Sequence, residues 1–128
     1  MAPSPTSSRP PSFFSSPTRK RFQKSSVAPH LPVLFLDRHG TIESLTDGAR
    51  RLLEYSSDAA LDPCFFSHVH RSNQHRVMRD LADMVCRGKQ RAQWLLRLRT
   101  GKKRWRWYRA SVEHDPSNDT IRVQLRPL

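Results

Sequence analysis

Cys64, His68, His70 and His75 fall within twelve residues of one another, and thiolate and imidazole are common ligands of biological metals. A metal centre would need three or four such groups in tetrahedral reach. The spacing C-x3-H-x-H-x4-H matches no zinc signature, and the stretch is expected to pass from loop to helix part-way along, so no metal is assigned. A second stretch joins cations to aromatic rings: Arg104-Trp105-Arg106-Trp107-Tyr108-Arg109. In a strand, Trp105 and Trp107 share one face, and Tyr108, Ala110 and Val112 share the other. One face can pack on helices; the other must meet something else or stay exposed. An exposed tryptophan pair suits a protein interface. The flanking arginines would also suit nucleic acid, through base stacking and phosphate contact. More plainly, arginine alkyl stems would cover the rings. The interface reading is preferred, which makes Trp105 and Trp107 the interface candidates. For catalysis the residues offer little. Four glycines form no Gly-rich loop, the acids are scattered over expected helix faces and turns, and no serine or cysteine sits in a nucleophile motif. The expectation is a protein that is not an enzyme.

The chain around these groups is short and basic. Its 128 residues fit one domain, with 23 Lys+Arg against 11 Asp+Glu, a formal +12. Residues 1–30 hold six prolines, many serines and no acid, a composition that buries too little apolar surface to offset chain entropy. A disordered tail is expected there, with a targeting segment as the second reading. Only five of the bases lie in it: Arg9, Arg19, Lys20, Arg21 and Lys24. The remaining part, 31–128, is therefore itself basic, with 18 cations against 11 acids. A positive field of this kind favours anionic partners and surfaces. Two cysteines and no secretory apolar stretch suggest a reducing, cytoplasmic setting, and no run of about 18 apolar residues is present to span a membrane.

Hydrophobic periodicity orders the elements. Val33-Leu34-Phe35-Leu36 reads as a strand buried on both faces, and the turn residues Asp37 to Gly40 lead into a second strand from Thr41 to Leu45. Asp47 is expected to cap a short helix ending near Tyr55, with Ala49, Leu52 and Leu53 on its apolar side. Brief helical turns are expected at Ala59–Leu61 and Phe65–His68. Ser72 or Asn73 then caps a long helix with Val77, Leu81, Met84 and Val85 on one face. The pairs Arg76–Asp80, Arg79–Asp83 and Asp83–Arg87 lie on the other, and Gly88 stops the helix. Three strands follow: Gln93 to Arg99, Arg104 to Val112 and Thr120 to Leu125, joined by short turns into an antiparallel meander. The order implies an α+β fold with helices on one face of the sheet.

Taken jointly, this order and several short motifs resemble a PAS domain over nearly all of 31–128. The motifs are Leu36-Asp37-Arg38-His39-Gly40-Thr41-Ile42, Ala49 with Leu52-Leu53-Glu54-Tyr55, Val69-His70, and Arg97-Leu98-Arg99-Thr100-Gly101 with Arg104-Trp105. Three positions depart from the family pattern. Arg71-Ser72-Asn73 stands where Pro-Asp-Asp is common, Glu54 replaces a common Gly, and Asp47 replaces a common Asn. The resemblance implies a five-stranded antiparallel sheet whose helices enclose a pocket against its inner face. It also implies signal perception, dimerisation or partner docking, without catalysis. Candidates to line such a pocket, or simply to fill the core, are Val77, Leu81, Trp94, Leu96, Tyr108, Ala110 and Leu125. Trp94 and Tyr108 each need a partner for a polar tip if buried. The resemblance admits haem or a small metabolite, with no axial residue assignable. It does not extend to flavin–cysteinyl photochemistry, which needs Asn-Cys-Arg-Phe where Cys64 sits in Asp62-Pro63-Cys64-Phe65-Phe66. The leading expectation is a sensor or interaction module, homodimeric through its outer sheet face or acting on a separate signalling protein, since the last strand runs almost to Leu128. The alternative is a basic nucleic-acid-binding module using the Arg/Trp strand.

Overall fold

Strand β1, Val33–Leu36, has four apolar residues in a row and buries all four. Leu34 and Leu36 enter the main core, while Val33 and Phe35 point to the opposite side and are covered by Val27 and Leu31. These relations come from a computed structural model that describes residues 27–128. The expected tail lies outside the described residues as far as residue 26. Residues 28–31 form a turn closed by the Leu31 N–H on the Ala28 carbonyl (3.0 Å) and joined to the first helix by the Gly48 N–H on the Pro29 carbonyl (2.8 Å).

The first hairpin forms as its residues dictate. The Asp37 carboxylate accepts the N–H groups of His39 (2.8 Å) and Thr41 (2.9 Å), and Gly40 takes φ +83°. Strand β2, Ile42–Leu45, then pairs antiparallel with β1. Helix α1, Asp47–Leu52, is capped by Thr46 and not by Asp47. The Thr46 hydroxyl accepts from the Ala49 N–H at 3.1 Å and from the Val33 N–H at 3.0 Å, so one side chain serves both helix and strand. Asp47 instead lies in the first turn, where its charge complements the helix dipole. The helix also stops earlier than expected. Glu54 adopts φ +64°, its N–H bonds the Arg51 carbonyl (3.1 Å), and the Tyr55 N–H bonds the Arg50 carbonyl (2.8 Å). This is a Schellman stop with glutamate in the position glycine usually takes. Of the two expected turns beyond it, only the 3₁₀ turn Phe65–His68 forms. At the other, the Arg50 guanidinium occupies the carbonyls of Ser56 (3.1 Å) and Ala59 (2.9 Å).

Helix α2, Arg71–Arg87, begins before Ser72 and Asn73. His70 caps it, with Nδ1 accepting the Ser72 N–H at 3.1 Å. The Asn73 side chain is used elsewhere, accepting the Arg97 N–H at 3.0 Å. Gly88, at φ +74°, ends the helix as its position suggested. Of the three expected charge pairs on α2, Arg87–Asp83 forms, at 3.8 Å. Asp80 is not on the solvent face at all: it is 4% exposed and shares the buried side with Val77, Leu81 and Met84. Spacing explains this, because Asp80 stands three residues after Val77 and four before Met84.

Strands β3 (Arg91–Arg99), β4 (Trp105–Asp115) and β5 (Thr120–Pro127) form the meander. The five-stranded antiparallel sheet has the order β2-β1-β5-β4-β3. Even-numbered residues of β3 and β4, and odd-numbered residues of β5 from Ile121 to Leu125, face the helices and the core. Both sheet borders are partly paired by loops, at Thr41–Cys64 beside β2 and Val69–Leu98 beside β3.

Candidate functional site

The face of β3–β5 turned away from the helices carries the two tryptophans. Trp105 is 46% exposed, Trp107 44% and Leu95, on the neighbouring strand, 49%. Register sets their neighbours. Trp105 lies opposite Arg99, Trp107 opposite Arg97, and Leu95 opposite Arg109, which in turn lies opposite Arg126 on β5. Each ring has a partner of its own. The Arg97 guanidinium sits 4.9 Å from the Trp107 ring centroid, in cation–π range. The His70 ring meets Trp105 edge-on with centroids 4.9 Å apart.

Arg97 joins this face to α2. It donates from its guanidinium to Ser72 Oγ (2.8 Å), from its N–H to Asn73 Oδ1 (3.0 Å), and its carbonyl accepts the His70 N–H (3.0 Å). Among the described residues, Arg97, Arg109 and Arg126 form no ion pair with a carboxylate. Further along the same face, Glu113 pairs with Arg91 at 3.6 Å and stands in register with Arg122.

The inner face presents a different picture. Val77, Leu81, Trp94, Leu96, Tyr108, Ala110 and Leu125 all lie in one apolar core, none more than 3% exposed. Trp94 Nε1–H donates to Asp80 Oδ2 at 2.8 Å, and Phe65 stacks on the same indole. Lys89 Nζ donates to Asp80 Oδ1 at 3.0 Å. Burial by itself would raise the Asp80 pKa; the hydrogen bonds from Lys89 and Trp94 outweigh it and hold the carboxyl below its ordinary range. The Tyr108 hydroxyl donates to the Leu52 carbonyl at 3.1 Å, and burial raises its pKa. The polar tips of Trp94 and Tyr108 are thus both engaged within the chain. The void nearest this core is about 10 Å³, roughly the space of one water. It is lined by other residues, among them Leu34, Leu53, Tyr55, Phe65, His68 and Leu98.

The histidine-rich stretch is dispersed. His68 binds the Asp62 carbonyl through Nε2 (2.8 Å), which leaves Nδ1 to accept from Tyr55 (3.4 Å), while His70 caps α2. Among the described residues, no three His, Cys, Asp or Glu side chains gather as a metal site. One polar constellation had no counterpart in the expectations. Glu54 is held by Arg104, with Nε–H to Oε1 at 3.0 Å and a second bond to Oε2, and by Arg106 at 3.5 Å. Hydrogen bonding to Arg104, aided by Thr100, lowers the Glu54 pKa from 4.5 to about 2. Only the pairing of the β3–β4 turn with the end of α1 reveals it, through the Gly101 N–H on the Leu53 carbonyl (2.8 Å).

No family model and no curated protein matches the sequence. Solved structures do match in fold. The PAS domain of an HTR-like protein from Haloarcula marismortui superposes with TM-score 0.62 at 13% identity, covering 75% of this chain and 84% of that one. The PAS-B domain of Drosophila melanogaster Cycle, with bound ethylene glycol, gives 0.63 at 12% identity, covering 75% and 98%. The PAS domain of the fruit-fly ELK potassium channel gives 0.60 at 11% identity, covering 87% and 94%. With the strand order, the helices on one face and the hairpin turns described above, these matches identify the chain as a PAS-fold domain.

Proposed function

We propose that this domain is a non-catalytic interaction module of PAS type, and that its docking surface is the outer face of β3 and β4, where a separate signalling protein binds. The observation that carries this reading is the contrast between the two faces. The inner face is filled, with Trp94 and Tyr108 both bonded internally and a void of about 10 Å³. The outer face offers Leu95, Trp105 and Trp107 at nearly half exposure, and tryptophan with arginine is the pairing enriched where interfaces concentrate their energy.

Arg97 supplies a route for the signal. A partner that engages its guanidinium over Trp107 competes with Ser72, next to the α2 cap. Binding then favours one placement of α2 on the sheet over another, which is a population shift driven by differential contact.

Native mass spectrometry and an absorption spectrum of the purified full chain test the first half of the proposal. A bare polypeptide mass is expected. A co-purifying chromophore or metabolite, lost on mutation of Trp94, would move the function to the inner face. Urea titration of Trp105→Ala/Trp107→Ala tests the second half. Each ring is a little over half buried, so the double truncation is expected to lower stability by about 2–4 kcal/mol at roughly 25 cal/mol per Å² of apolar surface. A loss of ~6 kcal/mol or more, the cost of emptying two fully buried aromatic sites, would make the rings part of the core instead.

A further inference from the structure

We propose that the segment docking on this face is an acidic stretch of a different polypeptide, with apolar side chains among its carboxylates, and that a second copy of this chain does not fill the site. This rests on the outer face being the docking surface. The evidence is the charge pattern of the register. Arg109 and Arg126 lie directly opposite each other on β4 and β5, and Leu95 flanks Arg109 on β3. Like charges directly opposite destabilise an antiparallel pair. No carboxylate among the described residues neutralises these two, and none pairs with Arg97 beside Trp107. Glu113, further along the same face of β4, is already engaged by Arg91. The fold therefore keeps a side-by-side arginine pair with no paired counter-charge among the described residues. An incoming carboxylate relieves the repulsion and accepts charge-assisted, forked hydrogen bonds from either guanidinium.

The same pattern argues against self-association through this face. A two-fold interface sets one surface patch against itself, so an axis passing near the arginine pair would bring the arginines of one protomer against those of its partner. Within a Debye length of about 8 Å at physiological salt, that repulsion is little screened. The rings argue against nucleic acid. Base stacking uses open ring faces, and one face of Trp107 is already taken by Arg97. What these rings share with Leu95 is exposed apolar surface, suited to aliphatic or aromatic side chains from a polypeptide.

Fluorescence anisotropy with the full chain tests the assignment, alongside sedimentation of the unlabelled protein over a range of concentrations. The probes are a short labelled peptide of glutamates interrupted by leucines, its lysine-for-glutamate counterpart, and labelled oligo-dT of matched charge. The glutamate peptide is expected to bind, the lysine peptide not to bind, and the protein to sediment as a monomer. Arg109→Ser/Arg126→Ser should weaken the peptide by roughly tenfold or more, the equivalent of one charge-assisted contact. Lys102→Ser/Lys103→Ser, in the hairpin turn away from the pair, should leave it unchanged. Circular dichroism confirms that each variant remains folded. Tighter binding of oligo-dT that is lost in Trp107→Ala keeps the face and overturns the acidic partner in favour of nucleic acid. A concentration-dependent dimer lost in Trp107→Ala keeps the face and assigns it to a second copy. No binding by the glutamate peptide, or binding indifferent to the arginine pair, overturns the proposal. If Trp107→Ala alters neither peptide, oligo-dT nor self-association, the docking surface itself is refuted.

Discussion

Replacing Asp80 should reveal how much of the domain's stability depends on one buried carboxylate. It is 4% exposed, accepts from Trp94 Nε1–H at 2.8 Å and from Lys89 Nζ at 3.0 Å. Hydrogen bonds to a charged group contribute about 1.5–3 kcal/mol, against about 0.5–1.5 for neutral ones. Asp80→Asn keeps an acceptor for the indole but loses the charge, so about 1–2 kcal/mol should be lost. Asp80→Ala also strands the Trp94 N–H in the core and should cost about 3 kcal/mol. In a domain of this size each kcal/mol lowers Tm by about 4–8 °C. Urea titration with an unchanged m-value measures both. A double-mutant cycle with Trp94→Phe isolates the bond and should give a coupling of about 1.5–3 kcal/mol. The acid limb gives an independent reading. Because the folded pKa is depressed below 3.8, the contribution is present above that pH and is lost as pH falls through the folded value. Asp80→Asn should remove this dependence. A coupling below about 0.5 kcal/mol, with an unaltered acid limb, would show that the carboxylate does not hold the indole.

Tyr108→Phe removes the bond to the Leu52 carbonyl and should cost about 1 kcal/mol in the same titration. Glu54, with its pKa lowered to about 2 from 4.5, stabilises the fold above pH 4.5 and stops doing so as pH falls toward 2. A Tm series across that window should therefore fall less steeply for Glu54→Gln than for the parent chain. Gly48→Ala should destabilise by about 1–3 kcal/mol by urea titration, reversing the gain of about 1 that alanine gives in an open helix. Its Cβ would stand 2.2 Å from the His30 carbonyl oxygen.

Alternation made the strands legible. Val33 to Leu36 buries both faces, and Trp105 and Trp107 fall opposite Tyr108 and Ala110, because side-chain direction in a strand follows from sequence parity alone. Caps were less legible, since several adjacent residues can accept the same N–H groups. Thr46 prevails over Asp47 because its hydroxyl also serves β1. His70 prevails over Asn73 because Asn73 is drawn to Arg97. The charge of Asp80 suggests the solvent face, but its angular position beside Val77 and Met84 buries it. The arginine pair was illegible for another reason. Nothing local to Arg109 or Arg126 announces their juxtaposition, which exists only once the β4–β5 register is fixed. The departure at Glu54 did have a visible signal, a glutamate in place of the common glycine. Its meaning depends on Arg104, fifty residues away.

The contact between Gly48 and the turn at 28–31 gives the domain a defined mechanical entry. A pull applied at Val27 first meets its own packing, with Leu31, on Val33 and Phe35 of β1, and the Leu31 N–H on the Ala28 carbonyl. It next meets the Gly48 N–H on the Pro29 carbonyl, then the Thr46 hydroxyl on the Leu31 carbonyl, and only afterwards the ladders that hold β1 between β2 and β5. These few bonds lie on α1 and its cap, so they would peel one by one, whereas β1 is sheared along two neighbours at once. Tension would therefore load the turn and the cap of α1 before the β1 ladders. In that order of loading the turn would act as a fuse, opening before the ladder that defines the fold.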